Sequence, residues 1–443
     1  MTVQKQNGNT IAIITMIFLF AMISFVTNLA APMGVVLKNQ FNLGNSAGML
    51  GNFMNFFAYL FFGIAAGNLL NKKGYKFTAL SAVAVGFVGI GIQYLAGQAS
   101  GISGEIFNLP ISFFIYLAGA FVAGIAVCML NTVVNPMLNM LGGGGNDGNT
   151  LLQIGGGVNS LAATITPMFV GILIGEAAKA RIADVFPVMY IAMGVFALVF
   201  VVLYFAQIPE PGLAKQKNAA VSEAKDKYSA WSFRHFILGA IGIFVYVGVE
   251  VGTPATMNLW LSDPSVSSLG ATTAGFVAGT YWFLMLIGRL FGASIGSKVS
   301  SKTMLAVASA VGMLLIMLAI FSPTTTQISL PVLQKSDAGA LSFGLAQVPI
   351  NAMFIVLVGL CTSIMWGGIY NLAVEGLGKY LAAASGLFMV MVCGGGIIPA
   401  IQGWVADIAG YMTSYWVMFA GLAYLLYYAL IGSKNVNKDI SVD

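Results

Sequence analysis

The chain has 443 residues, of which 58% are hydrophobic and only 7% are charged. Soluble globular domains carry about 25% charged residues, so this composition excludes a soluble domain and predicts an integral membrane protein. The net charge is +5, but the basic residues are scattered among predicted loop ends and form no stripe, which argues against a nucleic-acid partner. The polar N-terminus leads into an apolar run without a cleavage motif, so we expect the first helix to be retained.

Apolar segments of about 20 residues are long enough to cross a bilayer as helices. Turn and charge signals such as NKKGYK at 71–76 and SDPSVSS at 262–268 separate such segments along this chain. We therefore predict an all-α membrane protein with twelve transmembrane helices, near residues 11–37, 47–70, 77–97, 111–139, 151–176, 185–207, 235–261, 271–293, 303–322, 349–373, 382–406 and 411–432.

The longest polar stretch divides the predicted helices into six and six, and the two halves share sequence patterns. GGGVNSLAATITPMFVG at 155–171, for example, resembles GGGIIPAIQG at 394–403. This organisation resembles the plan of major facilitator transporters, whose substrate site lies between two halves. We predict two pseudo-symmetric bundles: an N-terminal six-helix bundle over 1–207, a cytoplasmic linker over 208–234 and a C-terminal six-helix bundle over 235–443.

The distribution of basic residues predicts the orientation, because cytoplasmic loops are enriched in Lys and Arg. With the N-terminus inside, 15 of the 19 basic residues face the cytoplasm and four face outside: Lys38, Lys179, Arg181 and Lys335. Both termini are thus predicted to be cytoplasmic. Arg289 is counted inside, because we expect it near the cytoplasmic end of helix 8, either paired with Glu375 or snorkelling to the interface.

Polar side chains inside the predicted spans are the candidate substrate-binding residues, since such groups are costly in lipid unless they pair or face water. In the first half they are amides, which donate and accept hydrogen bonds without charge: Asn28, Asn55, Asn131, Asn135 and Asn159. The second half adds aromatic residues and one carboxylate: Tyr246, Glu250, Trp282 and Tyr370. Together these groups suit a neutral, polyhydroxylated solute. Alternatively, each Asn joins helices by hydrogen bonds, and the aromatic residues are interface anchors.

Several of these segments resemble motifs of one transporter family. GIAVCMLNTVVNPMLNMLG at 124–142 is similar to the helix 4 signature of the fucose/glucose/galactose permease family of sugar symporters. The resemblance continues in GGGVNSLAATITP, YVGVEVGTPATMNLW, LIGRLFG and GGGIIPAIQGWVADIAG, and covers residues 25 to 430. It implies a major facilitator fold and sugar import across a bacterial inner membrane.

The chain departs from this family at the positions that carry proton coupling in proton-coupled members. The resemblance implies an acidic residue in helix 1 and a Glu in the helix 4 signature, where this sequence has Ala30, Ala31 and Asn131. The helix 5 Gln of the family falls on Gly156. Coupling through the first half is therefore in doubt.

Glu250 is the one acidic residue that we place deep inside a predicted span. It could exchange a proton, bind Na⁺ together with carbonyls freed near Pro254, accept sugar hydroxyls, or form a structural hydrogen bond between helices. We expect coupling of H⁺ or Na⁺ through Glu250. Without it, the expectation becomes a sugar uniporter.

Other function classes fit the sequence less well. An exporter of drugs or metabolites would favour an apolar cavity over one lined by amides. An enzyme is not expected, because the predicted spans contain no set of nucleophile, base and orienting group. We expect no cofactor and no metal site, since the three cysteines show no metal or redox spacing. The expected partners are the sugar and the bilayer, and the expected state is a monomer.

Overall fold

The structure is a computed structural model, and it describes residues 3–41, 50–99, 104–106, 109–174, 181–210, 228–263, 269–296, 298–335, 341–437 and 439–442. Within these ranges ten helices are long and apolar enough to cross a membrane. One of the ten, Leu50–Gln98, is two helices, because Gly74 lies in the left-handed region with φ of 86° and breaks it. With the further helix Gly145–Ile174, the described chain therefore has the twelve predicted helices.

We number these helices in chain order, and the tenth and eleventh helices each keep one label for two segments. They are α1 (Val3–Phe41), α2 and α3 (the two parts of Leu50–Gln98, 50–73 and 75–98), α4 (Ile111–Leu141), α5 (Gly145–Ile174), α6 (Phe186–Phe205), α7 (Arg234–Ser262), α8 (Gly270–Ile295), α9 (Ser301–Phe321), α10 (Ile350–Thr362 and Met365–Val374), α11 (Leu381–Val390 and Gly394–Ala409) and α12 (Tyr411–Tyr427).

The outer surface of the helices is apolar. Leu198 on α6, Phe291 on α8 and Leu314 on α9 are all more than half exposed. A soluble protein would bury side chains of this size, whereas lipid tails solvate them. The chain is a multi-pass membrane protein.

The ends of α6 and α7 flank the predicted linker. α6 ends at Phe205 and α7 begins at Arg234, while residues 211–227 lie outside the described residues. Division into bundles over 1–207 and 235–443 remains a prediction. In the described part of this region, Glu210 accepts hydrogen bonds from the backbone N–H groups of Tyr75 and Lys76, at 2.7 and 2.9 Å, where α3 begins.

The C-terminal residues pack at the end of the molecule where α7 begins. The Arg234 N–H donates to Asn437 Oδ1 at 3.0 Å, the Lys379 N–H donates to the Val442 carbonyl at 3.0 Å, and His235 contacts the Glu375 carbonyl. These contacts join the C-terminal residues to the start of α7 and the connection between α10 and α11. We call this end of the helices the termini-proximal end.

The segment between the predicted helices at 303–322 and 349–373 contains a β-hairpin. An earlier, short hairpin consists of β1 (Glu105–Ile106) and β2 (Leu109–Pro110). The longer hairpin consists of β3 (Gln327–Lys335) and β4 (Leu341–Pro349), which pair antiparallel with Gln327 opposite Pro349. Alternate residues such as Leu330, Val332 and Val348 are buried, which is the period-two pattern of a strand with one covered face. The hairpin thus has an apolar face of its own.

Close packing of glycines joins the two halves at the termini-proximal end. A Cβ on Gly63 of α2 would lie 2.6 Å from the backbone nitrogen of Val390, and one on Gly386 of α11 would lie 3.0 Å from the Cα of Gly67. In a second contact between the halves, a Cβ on Gly296 of α8 would lie 2.8 Å from Thr150 Oγ1 of α5. Small residues let helix backbones approach closely, so α2 packs against α11 and α5 packs against α8.

Candidate functional site

A cavity of about 120 Å³ lies between the helices of the first half and those of the second. Amides, aromatic rings and one pair of charged residues line it together with small apolar side chains. The lining residues are Phe20, Ile23, Ser24, Thr27, Asn28, Phe56, Tyr59, Asn131, Leu152, Gln153, Gly156, Asn159, Ala163, Val247, Glu250, Val251, Trp282, Arg289, Trp366, Gly367 and Val392.

Five of the nine predicted substrate-binding residues belong to this lining: Asn28, Asn131, Asn159, Glu250 and Trp282. They come from α1, α4, α5, α7 and α8, so the fold brings together residues from both halves of the chain. The three asparagines come from the first half of the chain, and Glu250 and Trp282 come from the second. That these residues bind a substrate stays a prediction.

The three asparagines of the lining are each held by a second protein group. Asn131 Nδ2 donates to the Tyr59 hydroxyl at 2.7 Å, and Asn28 Nδ2 donates to the Ser24 carbonyl at 2.8 Å. Asn159 Nδ2 donates to the Phe20 carbonyl at 2.8 Å. Such contacts limit the rotation of an amide, so these side chains are oriented before any solute arrives.

The other four predicted residues lie behind the lining, and a substrate-binding role for them stays a prediction. Asn135 is fully buried and accepts a hydrogen bond from Trp366 Nε1 at 2.9 Å. It shares a helical stripe with Asn131, but that stripe continues from the cavity into the contact between α4 and α10. Helical spacing shows which residues share a face and does not show where along that face the cavity ends.

Asn55, Tyr246 and Tyr370 are also buried behind the lining. Tyr370 lies in the second segment of α10, where its ring packs on Phe388 with the ring centroids 5.2 Å apart. Tyr246 lies beside Glu250, within α7, and its ring centroid is 6.2 Å from that of Trp366. Among the described residues, the side-chain oxygen Oδ1 of Asn55 is buried without a hydrogen-bond partner. All three pack between helices.

Arg289 is the main residue of the site that the sequence interpretation misplaced. Its Nη2 lies 3.0 Å from Glu250 Oε1, and the two side chains are only 8% and 14% exposed. The predicted partner Glu375 and the predicted snorkelling to the interface were therefore wrong. With Arg289 removed from the loop count, 14 of the 19 basic residues remain on the predicted inside. The signal in the sequence was charge balance, since a carboxylate deep in one helix calls for a nearby cation.

The guanidinium of Arg289 also contacts the first half of the chain. Nη1 donates to the Gly156 carbonyl and to Ser160 Oγ, both at 2.7 Å, and reaches Asn159 Oδ1 at 3.4 Å. Nε donates to the Ser363 carbonyl at 3.2 Å. One cation therefore connects α5 with α7 and with the break in α10.

Local backbone features make this contact sterically and chemically feasible. A Cβ on Gly156 would lie 3.2 Å from Arg289 Cδ, so the absence of a side chain makes room for the guanidinium. This is the position where the family resemblance implies a Gln. The break in α10 between Thr362 and Met365 frees carbonyls that a continuous helix would use, and Ser363 offers one of them to Arg289.

Two side-chain amides of α5 also contact the second half of the chain near this break. Gln153 Nε2 on α5 donates to the Ile364 carbonyl at 3.1 Å, and one turn earlier Asn149 Nδ2 lies 3.4 Å from Ser301 Oγ. These contacts lie on the termini-proximal side of Arg289. The cavity floor on that side is thus closed by hydrogen bonds as well as by glycine packing.

The chain was compared with known proteins. A family model described as Major Facilitator Superfamily matches residues 13–398. The glucose/galactose transporter of Brucella abortus biovar 1 (strain 9-941) is 31% identical over 441 residues, which cover 98% of this chain and 96% of the relative. The L-fucose-proton symporter of Escherichia coli (strain K12) is 23% identical over 422 residues, 89% of this chain and 86% of that one.

Solved structures agree on the fold. FucP, a Major Facilitator Superfamily transporter in the outward conformation, aligns with a TM-score of 0.69 at 18% identity, covering 95% of this chain and 99% of that one. The proton:xylose symporter XylE aligns with a TM-score of 0.68 at 13% identity, covering 97% and 98%. The relatives are sugar transporters and not enzymes. The predicted twelve-helix fold and the family resemblance are confirmed, and the chain belongs to the Major Facilitator Superfamily.

Proposed function

We propose that this protein imports a neutral sugar across a bacterial inner membrane by alternating access, with both termini in the cytoplasm. The observation that carries the proposal is the cavity between the halves, lined by Asn28, Asn131 and Asn159 on one side and by Glu250 and Trp282 on the other. Amides exchange hydrogen bonds with hydroxyl groups, and an indole face covers the apolar face of a sugar ring.

The charge balance of the cavity supports a neutral substrate. Glu250 and Arg289 are the two charged residues among the lining, and they form an ion pair at 3.0 Å. The paired charges leave no net charge to attract an anion or a cation into the site. The polar lining also argues against an exporter of apolar compounds.

The relatives narrow the substrate class that we propose. Two from Brucella abortus are named glucose/galactose transporter, two from Helicobacter pylori are named putative glucose/galactose transporter, and one is named L-fucose-proton symporter. Hexoses and deoxyhexoses are therefore the first candidates, with amino sugars next. We propose that the protein acts as a monomer, since one chain supplies both walls of the cavity.

Cation coupling through Glu250 is part of this proposal, with H⁺ or Na⁺ as the ion and no other cofactor. An uncoupled uniporter is the second candidate. The observation that favours it is the ion pair itself, because a carboxylate already neutralised by Arg289 has less need of a bound cation.

Uptake into proteoliposomes tests the function. Purified protein is supplied with labelled glucose, galactose, fucose and N-acetylglucosamine under a proton gradient, a sodium gradient or neither. We expect saturable uptake of at least one sugar. Accumulation above equilibrium under one gradient supports coupling, whereas equilibration under all three supports the uniporter. Absence of both uptake and sugar-induced thermal stabilisation for the whole panel contradicts the proposal.

A substitution tests the amide wall. Asn131→Ala removes a lining amide that also bonds Tyr59, and we expect the affinity for the transported sugar to fall about tenfold, the effect of losing one good hydrogen bond. The matched control is Asn351→Ala, which removes a buried amide that bonds the Ala319 and Ser322 carbonyls away from the cavity. Equal affinity losses in both variants would contradict a binding role for Asn131.

A further inference from the structure

A chain of hydrogen-bonded side chains crosses from the first half of the protein to the second. Asn131 Nδ2 on α4 donates to the Tyr59 hydroxyl on α2 at 2.7 Å. One turn further along α4, Asn135 Nδ2 donates to the Asn131 carbonyl at 2.9 Å and lies 3.3 Å from Asn131 Oδ1. On α10, Trp366 Nε1 donates to Asn135 Oδ1 at 2.9 Å. The chain therefore runs from Trp366 through two amides to Tyr59.

The direction of each bond in this chain follows from the indole of Trp366. An indole N–H can only donate, so the oxygen of the Asn135 amide, and not its nitrogen, faces Trp366. The Asn135 nitrogen then faces Asn131, whose amide turns its oxygen toward Asn135 and its nitrogen toward Tyr59. The Tyr59 hydroxyl is thus an acceptor in this chain.

Tyr59 and Asn131 each keep hydrogen-bonding capacity that the chain does not use. A hydroxyl that accepts a bond still has its own hydrogen to donate, and an amide oxygen has two lone pairs. Among the described residues, the Tyr59 hydroxyl bonds to Asn131 alone, and Asn131 Oδ1 accepts from Asn135 alone. Both Tyr59 and Asn131 line the cavity, whereas Asn135 is fully buried behind it. Two neighbouring lining residues therefore offer one donor and one acceptor.

We propose that Tyr59 and Asn131 form a subsite for one hydroxyl group of the sugar. The sugar oxygen accepts the hydrogen of the Tyr59 hydroxyl, and the sugar hydroxyl donates its own hydrogen to Asn131 Oδ1. Tyr59 is thus a further substrate-binding residue, while Asn135 and Trp366 are positioning residues that set the polarity of the subsite. This inference rests on the proposed sugar import and adds the chemical group that the site recognises.

The fixed polarity makes the subsite selective. A hydroxyl group both accepts and donates, whereas a hydrogen atom in its place does neither. Tyr59 and Asn131 are only 3% and 7% exposed, so water replaces a missing sugar hydroxyl poorly. A site built to bond a hydroxyl rejects an analogue that lacks it, because its buried polar groups are then left unpaired.

The test combines one change in the protein with one change in the sugar. Binding of the sugar that the uptake panel identifies is compared with binding of each of its monodeoxy analogues, by isothermal titration calorimetry. In the wild-type protein we expect one analogue to bind about tenfold more weakly than the parent sugar. Tyr59→Phe should weaken the parent sugar, reduce this difference to about threefold and leave the differences at the other positions unchanged.

The matched control is Tyr415→Phe. It removes the hydroxyl of a fully buried tyrosine that donates to the Thr253 carbonyl at 2.9 Å and does not line the cavity. The relative affinities of all analogues should keep their wild-type values in this variant. A tenfold difference that persists in Tyr59→Phe, or that falls equally in Tyr415→Phe, would overturn the inference, as would a wild-type protein that tolerates the loss of every hydroxyl.

The positioning role of Asn135 and Trp366 has its own readout. Asn135→Leu combined with Trp366→Phe breaks the chain behind the subsite and leaves no indole N–H without a partner. The Asn131 amide is then free to turn, so we expect the difference at the same sugar position to fall to about threefold, as in Tyr59→Phe. A merely structural role would weaken the parent sugar and all analogues by the same factor, and that result would contradict the positioning role.

Failure of this inference is distinguishable from failure of the proposed function. Saturable sugar uptake without a hydroxyl preference that depends on Tyr59 contradicts the subsite and leaves sugar transport intact. If the protein neither takes up nor is stabilised by any sugar of the panel, the proposed function itself is wrong.

Discussion

Glu250 and Arg289 are opposite charges in a cavity lining whose other members are neutral. Each is 14% or less exposed, so each depends on the other for its charge to be tolerated. Breaking a buried pair by removing one partner leaves an uncompensated ion, whereas replacing both partners often costs little. The same reasoning explains why the otherwise apolar segment YVGVEVGTPATMNLW tolerates a carboxylate. The charge that balances Glu250 comes from Arg289 on the next helix.

Thermal unfolding in detergent tests this dependence. We expect Glu250→Gln or Arg289→Met alone to destabilise the protein by about 3–5 kcal/mol, and the double variant to lie closer to wild type than either single one. Two single losses that simply add in the double variant would show that the residues do not depend on each other. Asn351→Ala serves as a control for the loss of an unrelated buried polar group.

At the scale of elements, breaks and small residues decide how the helices meet. The break in α10 provides the Ser363 and Ile364 carbonyls to Arg289 and Gln153, and Gly156 admits the guanidinium on α5. On the other side of the molecule, Gly63 brings α2 against α11. These positions look like ordinary glycine-rich or β-branched membrane sequence, because nothing local marks the helix that will lie opposite.

The contact between α2 and α11 yields a prediction about conformation. Gly63→Leu places a side chain where a Cβ already lies 2.6 Å from the Val390 backbone, so the termini-proximal end should open. A cysteine introduced at the buried position Asn149 should then react several times faster with a membrane-impermeant maleimide. The described native cysteines are buried and form a low background.

The control for this experiment is Gly194→Leu on α6, where a Cβ meets no atom within 4 Å. It adds the same side chain to a membrane helix without touching the other half. If both variants change the labelling rate equally, or if neither does, the close approach of α2 and α11 does not hold this end closed.

At the scale of the whole molecule, the described contacts between the halves at Gly63, Gly386, Gly296 and Asn149 close the termini-proximal end. Transport by alternating access requires this end to open in turn. The matching of two helix pairs, α2 with α11 and α5 with α8, is the expected consequence of two related halves facing each other. The movement can be blocked by a covalent bond across either pair.

A disulfide across α5 and α8 makes that prediction concrete. The Cβ position of Gly296 lies 2.8 Å from Thr150 Oγ1, so side chains at these two positions meet, as the partners of a disulfide must. We expect Thr150→Cys combined with Gly296→Cys to lose sugar uptake after oxidation and to regain it on reduction. Each single cysteine variant should respond to neither treatment. Uptake that persists in the fully cross-linked protein would contradict movement at this contact.

The sequence alone determined the features that depend on composition and period. Long apolar runs specify the helices, since a membrane leaves the backbone no other partners, and this predicted twelve helices. The family was indicated by the resemblance of individual motifs. Polar and aromatic side chains inside the predicted spans pointed to Asn28, Asn131, Asn159, Glu250 and Trp282, which line the cavity. The β-hairpin at 327–349 was not predicted, because the length and hydropathy rule for membrane helices does not test for strands.

Only the tertiary structure decided which groups meet. Asn135, Tyr246 and Tyr370 share segments with lining residues, yet the rotation of each packed helix turns them behind the wall. Arg289 lies 39 positions from Glu250 and more than 120 from Ser160, so no local pattern records that it joins them. Helix propensity and hydropathy act along one segment, whereas an ion pair depends on the separation of side chains from different helices, which packing alone sets.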